Sequence, residues 1–400
     1  MKFDFTTIYD RRGKDAMAVD AVEKIPVFQP NEGFDAIPMW VADMNFATAP
    51  AVTETIRKRL EHPLFGYFMP SDEYFDSIIR WQQRRNGVTG LEKEHIGYEN
   101  GVLGGLMSAL AAVCARGDHV LVHSPTYIGF TRSIENGGYH VITSPLKPDR
   151  YGVQRMDFFD METKIKRNDI RAVVFCSPHT RPVGLWGEQE ELEHFMDMAR
   201  RLNVTVISDE IWSDLTLRGH QHIPLQSVSD DARQRTVALY APSKTFNLAG
   251  LIGSYHIVYN EALHKRMKKE SSLSHYNSMN VLSMHALIGA YSDEGSQWVD
   301  ELREVLTENV KYACKFIRKN LQGVSVQQPE GTYMLFLDCE EYCRCSGRTL
   351  DEVKKAGYEV GVVWQDGRPF HGAHHIRMNL ALPMEKVIIA MDRLKEYVFI

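Results

Sequence analysis

Between about residues 95 and 260, short β-branched-rich apolar runs alternate with amphipathic stretches, and this alternation constrains the chain more than any other feature. HVLVH (119–123), RAVVFC (171–176), VTVIS (204–208) and TVALY (236–240) have the length and composition of strands buried on both faces. EQEELEHFMDMARRL (188–202) repeats Leu192, Phe195, Met196 and Ala199 at helical spacing, which lays one apolar stripe against a sheet. The pattern predicts an α/β fold with a mostly parallel, seven-stranded-type sheet covered by helices on both faces, forming a large domain over 46–290. After Tyr259 come long helical segments, YMLFLD (333–338), a helix candidate at 348–356, a strand at HHIRMN (374–379) and a closing helix after Pro383. These predict a smaller α+β domain over 291–400, joined by an N-terminal segment, 1–45, in which no regular period is visible.

Composition narrows the function classes. Lys plus Arg is 46 against 52 for Asp plus Glu, a net charge of −6 with no block of like charge, so nucleic acid is not an expected partner. The longest weakly polar run, 101–115, falls short of the ~20 residues a membrane span needs. The start, MKFDFTTIYDRRGKDAM, lacks the apolar core and cleavage site of a secretory signal, so a soluble, cytoplasmic chain is expected. Its six cysteines are expected to be reduced thiols. Cys339, Cys343 and Cys345 could meet His371, His374 and His375, but without a CxxC pair or HExxH no metal site is expected.

In open parallel sheets ligands bind beyond the carboxyl ends of the strands. The segments there are SPTY (124–127), SPHT (177–180), DEIW (209–212) and APSKTFNLAG (241–250). Lys244 sits among small and apolar residues directly after a buried strand, where a cation is costly unless used, and a desolvated amine can form a Schiff base. Asp209 lies 35 residues earlier, after VTVIS; alone it is as readily a helix N-cap or a solvated strand end. Together, a Schiff-base lysine and a carboxylate facing a pyridinium nitrogen are what pyridoxal phosphate requires. YENGVLGGLMSALAAV offers small residues ahead of a helix, so Gly101, Val102 and Leu103 are the candidate phosphate cradle. Neither GxGxxG nor GxxxxGK[ST] occurs, which disfavours dinucleotide and P-loop chemistry. Tyr127 is either a core aromatic or a ring that stacks on a planar cofactor.

In these segments, and in MWVADMNFATAP, FGYFMP, FCSPH, ISDEI and RMNLALP, the chain resembles the fold-type I pyridoxal phosphate enzymes, in particular the bacterial C–S β-lyases of the cystathionine β-lyase and cystalysin type. The resemblance implies pyridoxal 5'-phosphate linked to Lys244, Asp209 as the pyridinium partner, Tyr127 as the stacking ring, Ser243 as a phosphate ligand and Arg377 on the substrate α-carboxylate. It also implies a homodimer with shared active sites, in which Tyr67 reaches the cofactor phosphate of the neighbouring subunit. Arg377 meets a physical test of its own: in an apolar strand an inward guanidinium needs an anion, either a substrate carboxylate or a fixed internal partner. Two departures stand out. SPHTRPVGLW replaces the usual SPHNPxGRxW, with Thr180 where an asparagine normally reaches the cofactor's phenolate oxygen and Arg181 in place of proline, and Trp212 stands where relatives carry tyrosine or histidine. The implied activity is α,β-elimination of L-cystathionine or another L-cysteine S-conjugate to thiol, pyruvate and ammonia. The alternatives are an aminotransferase of the same fold and a regulatory cofactor-binding protein with weak lyase activity.

Overall fold

Strands rich in apolar residues on both faces need cover on both faces, and the four apolar runs become the interior of one helix-covered sheet. The structure, a computed structural model, describes residues 1–150, 154–178, 189–273 and 277–400. The strands are Ile96–Glu99 (β1), His119–Ser124 (β2), His140–Pro145 (β3), Ala172–Cys176 (β4), Thr205–Asp209 (β5), Thr236–Tyr240 (β6) and Ser254–Ile257 (β7). Their order is β1-β7-β6-β5-β4-β2-β3. From β3 through β6 the neighbours are parallel, while β7 runs antiparallel to both β6 and β1. Every residue of β4 and β6 is buried, hence their unbroken apolar runs. The edge strands β1 and β3 are only partly buried and carry no such run, so their pattern does not announce them.

The helices used below are Pro50–Leu60 (α1), Asp72–Asn86 (α2), Val102–Val113 (α3), Ile128–Asn136 (α4), Gln189–Arg201 (α5), Val281–Ala290 (α6) and Asp293–Asn320 (α7). Val102, Leu106, Ala109 and Leu110 of α3 join Val120, Val122, Val174, Ile207, Val237 and Leu239 of the sheet in one apolar cluster. Helix α5 buries the expected Leu192, Phe195, Met196 and Ala199, with Met198 beside them.

By contacts the described residues fall into two units, one made of 1–47 and 301–400 and the other of 48–178 and 189–300. In the first, Ser325–Val326 (β8), Met334–Asp338 (β9), Gln365–Asp366 (β10) and His375–Asn379 (β11) form an antiparallel sheet in the order β8-β9-β11-β10. Residues Leu350–Glu359 form a helix opened by a Thr349/Glu352 capping box, and Met384–Arg393 forms another directly after Pro383. The N-terminal stretch is more regular than its sequence announces. Met17–Lys24 is a helix whose buried residues are Ala18 and Val22, and two turns are too short for a 3.6-residue period to show. Ile37–Pro38 pairs in parallel with Val362–Val363. Asn379 Nδ2 donates to the carbonyls of Val41 (2.7 Å) and Asp43 (2.6 Å), pinning the segment that follows.

Helices α6 and α1 approach closely at Gly289, where an added Cβ would lie 2.5 Å from the Ala51 carbonyl oxygen and 2.9 Å from Val52 Cα. Alanine gains about 1 kcal/mol of helix propensity over glycine, but backbone atoms cannot swing aside as a side chain can. Gly289→Ala is therefore expected to destabilise by about 1 to 3 kcal/mol net. An unchanged urea midpoint would show that the helix pair adapts.

Candidate active site

The carboxyl ends of β5 and β6 set the site. In register, Asp209 is level with Cys176 on one side and Leu239 on the other, so the acid closes a strand whose neighbours end beside it. It is 6% exposed, and the Ile211 N–H donates to its Oδ1 at 3.0 Å. Burial pushes the Asp209 pKa up to about 7; the Ile211 N–H and, more weakly, Lys244 pull it down, while neighbouring Glu210 adds to the rise. Lys244 enters on the turn after β6 and is half-buried, its Nζ 5.7 Å from the centroid of the Trp212 ring, within cation–π range. Trp212 is itself 5% exposed and belongs to the turn that begins at Asp209.

Tyr127 occupies the N-cap position of α4 and is partly exposed, with its ring edge-on to Phe130 at 5.4 Å. An added Cβ on Gly129 would fall 2.2 Å from Tyr127 Cε1, so the absence of a side chain at 129 makes room for the ring. Gly101 is the N-cap of α3 with φ 82° and ψ 154°, a conformation essentially reserved for glycine. Val102 is buried and Leu103 half-buried, and their N–H groups belong to the first turn, where a helix makes no internal bonds through its N–H groups. Ser243 is half-buried, its carbonyl accepting from Leu248 N–H at 3.0 Å.

Sequence reasoning missed the side chains that hold these turns. Asn277 Oδ1 accepts the Asn100 N–H at 2.6 Å, and its Nδ2 donates to the Tyr98 carbonyl (2.7 Å) and to Glu99 Oε2 (3.1 Å). Glu99, fully buried, also pairs with His256 Nδ1 at 2.8 Å and accepts from Ser108 Oγ at 3.0 Å. Glu210, next to Asp209 and also fully buried, receives Ser208 Oγ (2.8 Å), Leu225 N–H (3.1 Å) and Tyr240 OH (2.6 Å), and meets His222 Nε2 at 2.7 Å. No local spacing links Asn277 to a loop near residue 100; only the spatial arrangement does.

The other expected residues are placed as follows. Thr180 and Arg181 lie outside the described residues. Tyr67 is fully exposed, with Leu64, Phe65 and Met69 exposed around it. Arg377, in the first unit, is 4% exposed in mid-strand; its Nη1 donates to Gln365 Oε1 at 2.5 Å and its guanidinium lies 5.1 Å from the Phe370 ring centroid. Its strand neighbours Ile376 and Met378 are fully buried too, so β11 is covered on both faces. Among the described residues no group of three or more His, Cys, Asp or Glu side chains could hold a metal ion, and no helix is long and apolar enough to cross a membrane.

A buried acid near neutrality, a half-buried lysine whose charge it feels, a partly exposed ring and a glycine-started helix fit a planar heterocycle carrying a basic ring nitrogen, an aldehyde and a phosphate. Fold and site thus suit a protein of the kind that holds such a cofactor. The chain belongs to the class I and II aminotransferase family, whose profile, Aminotransferase class I and II, matches residues 37–394. It is 34% identical over 366 residues to Cystathionine beta-lyase PatB of Bacillus subtilis (strain 168), covering 90% of this chain and 92% of that protein. The PLP-bound C-S lyase from Staphylococcus hominis matches the structure with a TM-score of 0.88 at 30% identity, covering 98% of each chain. Cystalysin from Treponema denticola, solved with pyridoxal 5'-phosphate, matches with a TM-score of 0.89 at 26% identity, covering 99% of this chain and 98% of that one.

The state of Asp209 has a measurable consequence. With its pKa raised from 3.8 to about 7, the folded cofactor-free chain binds this proton more tightly than the unfolded chain does. The acid therefore costs nothing below about pH 4, and its cost grows as pH rises to about 7 and then levels off. Asp209→Asn keeps an acceptor for Ile211 and removes the charge. Cofactor-free variant and wild type should match in urea stability near pH 4, and above pH 7 the variant should be the more stable by about 2 to 4 kcal/mol. A constant difference across that range would refute the buried carboxylate.

Proposed function

We propose that this chain is a pyridoxal phosphate-dependent carbon–sulfur β-lyase that cleaves L-cystathionine or another L-cysteine S-conjugate to a thiol, pyruvate and ammonia. The observation that carries the reading is the placement of Asp209 and Lys244 at the ends of adjacent strands β5 and β6, in a chain whose near full-length relatives bear C–S lyase names.

The chemistry supplied by bound pyridoxal phosphate is an electron sink for the bond broken at the substrate Cα. The chain's own residues do the rest. Lys244 Nζ would hold the cofactor's aldehyde carbon, and as a free amine it would remove the substrate Cα proton. Asp209 would face the ring nitrogen and favour its protonated form. Tyr127 would cover the ring, and the Gly101–Val102–Leu103 backbone with Ser243 would receive the phosphate. Arg377, whose planar fork suits a carboxylate, binds the substrate's α-carboxylate. Thr180 and Trp212 take the places of the usual donors to the phenolate oxygen; a hydroxyl is a less directed donor than an amide, and an indole offers one N–H and no acceptor. The acting form is a homodimer in which Tyr67 reaches the cofactor phosphate of the neighbouring subunit. Its complete exposure in the single chain, among Leu64, Phe65 and Met69, supports this.

The test is a panel of amino acids assayed together for thiol, pyruvate and new keto acid. Thiol with stoichiometric pyruvate is expected, and a keto acid that retains the sulfur would overturn the reading in favour of transamination. Lys244→Ala should bind the cofactor without a borohydride-trappable bond, and recovery of a lysine-linked reduced cofactor from it would move the role elsewhere. Arg377→Leu should weaken binding of amino acids by about 2 to 5 kcal/mol and spare their amides; equal losses would make Arg377 structural.

A further inference from the structure

We propose that Asp214 is a positioning residue that ties the Lys244 turn to the turn carrying Asp209, acting through Thr245; the inference rests on the reading of Lys244 above. Asp214 follows Asp209 by five residues and Thr245 follows Lys244 directly. Asp214 is 6% exposed and Thr245 is fully buried. Thr245 Oγ1 donates to Asp214 Oδ2 at 3.1 Å, and Trp81 Nε1 of α2 donates to Asp214 Oδ1 at 3.0 Å. Each turn is closed on itself by backbone bonds. Ser213 N–H reaches the Glu210 carbonyl (3.0 Å) and Leu215 N–H that of Trp212 (2.9 Å), while Phe246 N–H reaches the Pro242 carbonyl (2.8 Å) and Leu248 N–H that of Ser243 (3.0 Å). The Asp214–Thr245 bond then couples two preformed turns.

The anchor behind this bond is stiff. Trp81 stacks on Tyr291 with ring centroids 4.4 Å apart and planes 6° apart, and Phe246, fully buried, lies 5.8 Å from Trp81 and 5.5 Å from Trp298. Thr245 and Phe246 thus clamp the backbone on the C-terminal side of Lys244, leaving the four-carbon stem of the lysine as the part that moves. Burial raises the Asp214 pKa, opposed by Arg85 and then by the bonds from Thr245 and Trp81. A carboxylate accepts on both oxygens, which suits one donor on each side, and the indole N–H can only donate. A lysine that must first hold a cofactor and then act on Cα gains from a fixed point of attachment, because a misplaced reacting group loses much of its effective concentration.

The test uses cofactor-free protein and two probes. Pyridoxal phosphate can link to a lysine, whereas pyridoxamine phosphate offers the same ring and phosphate without the aldehyde. Thr245→Val should slow the rise of the visible band of lysine-linked cofactor by about tenfold or more and lower kcat with little change in KM, leaving affinity for pyridoxamine phosphate intact. Thr245→Ser, which keeps the hydroxyl, should restore both rates. Asp214→Asn can still face Trp81 with its oxygen and turn its amide to the threonine hydroxyl, so it should fold and link at an intermediate rate, and it serves as the comparison if Thr245→Val does not fold. Linkage and turnover at wild-type rates in Thr245→Val would overturn the proposal, as would a parallel loss of pyridoxamine phosphate affinity, which marks a collapsed pocket. Wild-type protein that binds both probes yet never forms the lysine bond would overturn the parent reading, and that outcome is visible without any variant.

Discussion

A carboxylate at the end of a strand covered on every side must be protonated or paired, and Asp209 is in that position. Its neighbours in the sheet, Cys176 and Leu239, bring no charge, and one backbone N–H does not offset the loss of water. Burial therefore pushes its pKa up to about 7. Under the proposed function a protonated ring nitrogen is the complementary partner, and this need organises the rest. In that reading the lysine comes from the turn after the adjacent strand, the aromatic cover from the turn after β2, and the phosphate ligands from the start of the helix that follows β1.

The turns that deliver these groups are held by buried polar side chains whose bonds run in several directions. Glu99 and Glu210 accept from hydroxyl, amide, backbone and imidazole partners, so each carboxylate is held from several directions. Breaking such a network at one point strands a buried charge, which makes the arrangement all-or-none and keeps loops near the site from drifting. The aromatic stack of Trp81, Tyr291, Phe246 and Trp298 serves the same end by packing, because close-packed rings leave few alternative rotamers for the turn they support.

Arg377 shows that a buried charge can be read in more than one way. Its Nη1 donates to Gln365 Oε1, and its guanidinium lies against the Phe370 ring. Under the proposed function it also binds the substrate's α-carboxylate. Under the proposed function the departures at Thr180, Arg181 and Trp212 bear on a different part of the chemistry, the electronics around the lysine bond. There Trp212 lies beside Lys244, where its indole contributes a π face and a single N–H.

The amino-acid sequence by itself determined the α/β class and the interior strands, because burial on both faces writes an unbroken β-branched run into each strand regardless of its partners. It also singles out Lys244 and Asp209 as candidates, since a charge just beyond such a run is conspicuous. Edge strands β1 and β3, the two-turn helix Met17–Lys24 and the parallel pairing of Ile37–Pro38 escaped notice because partial burial and short length leave no period to read. Only the tertiary structure decided that Asn277 braces the loop before Gly101, that Glu210 stiffens the turn beside Asp209 and that Asp214 meets Thr245. Periodicity reports what one element buries. Which side chains then bond to one another depends on strand order and on turns that bring together residues far apart in the chain, and no local pattern encodes that.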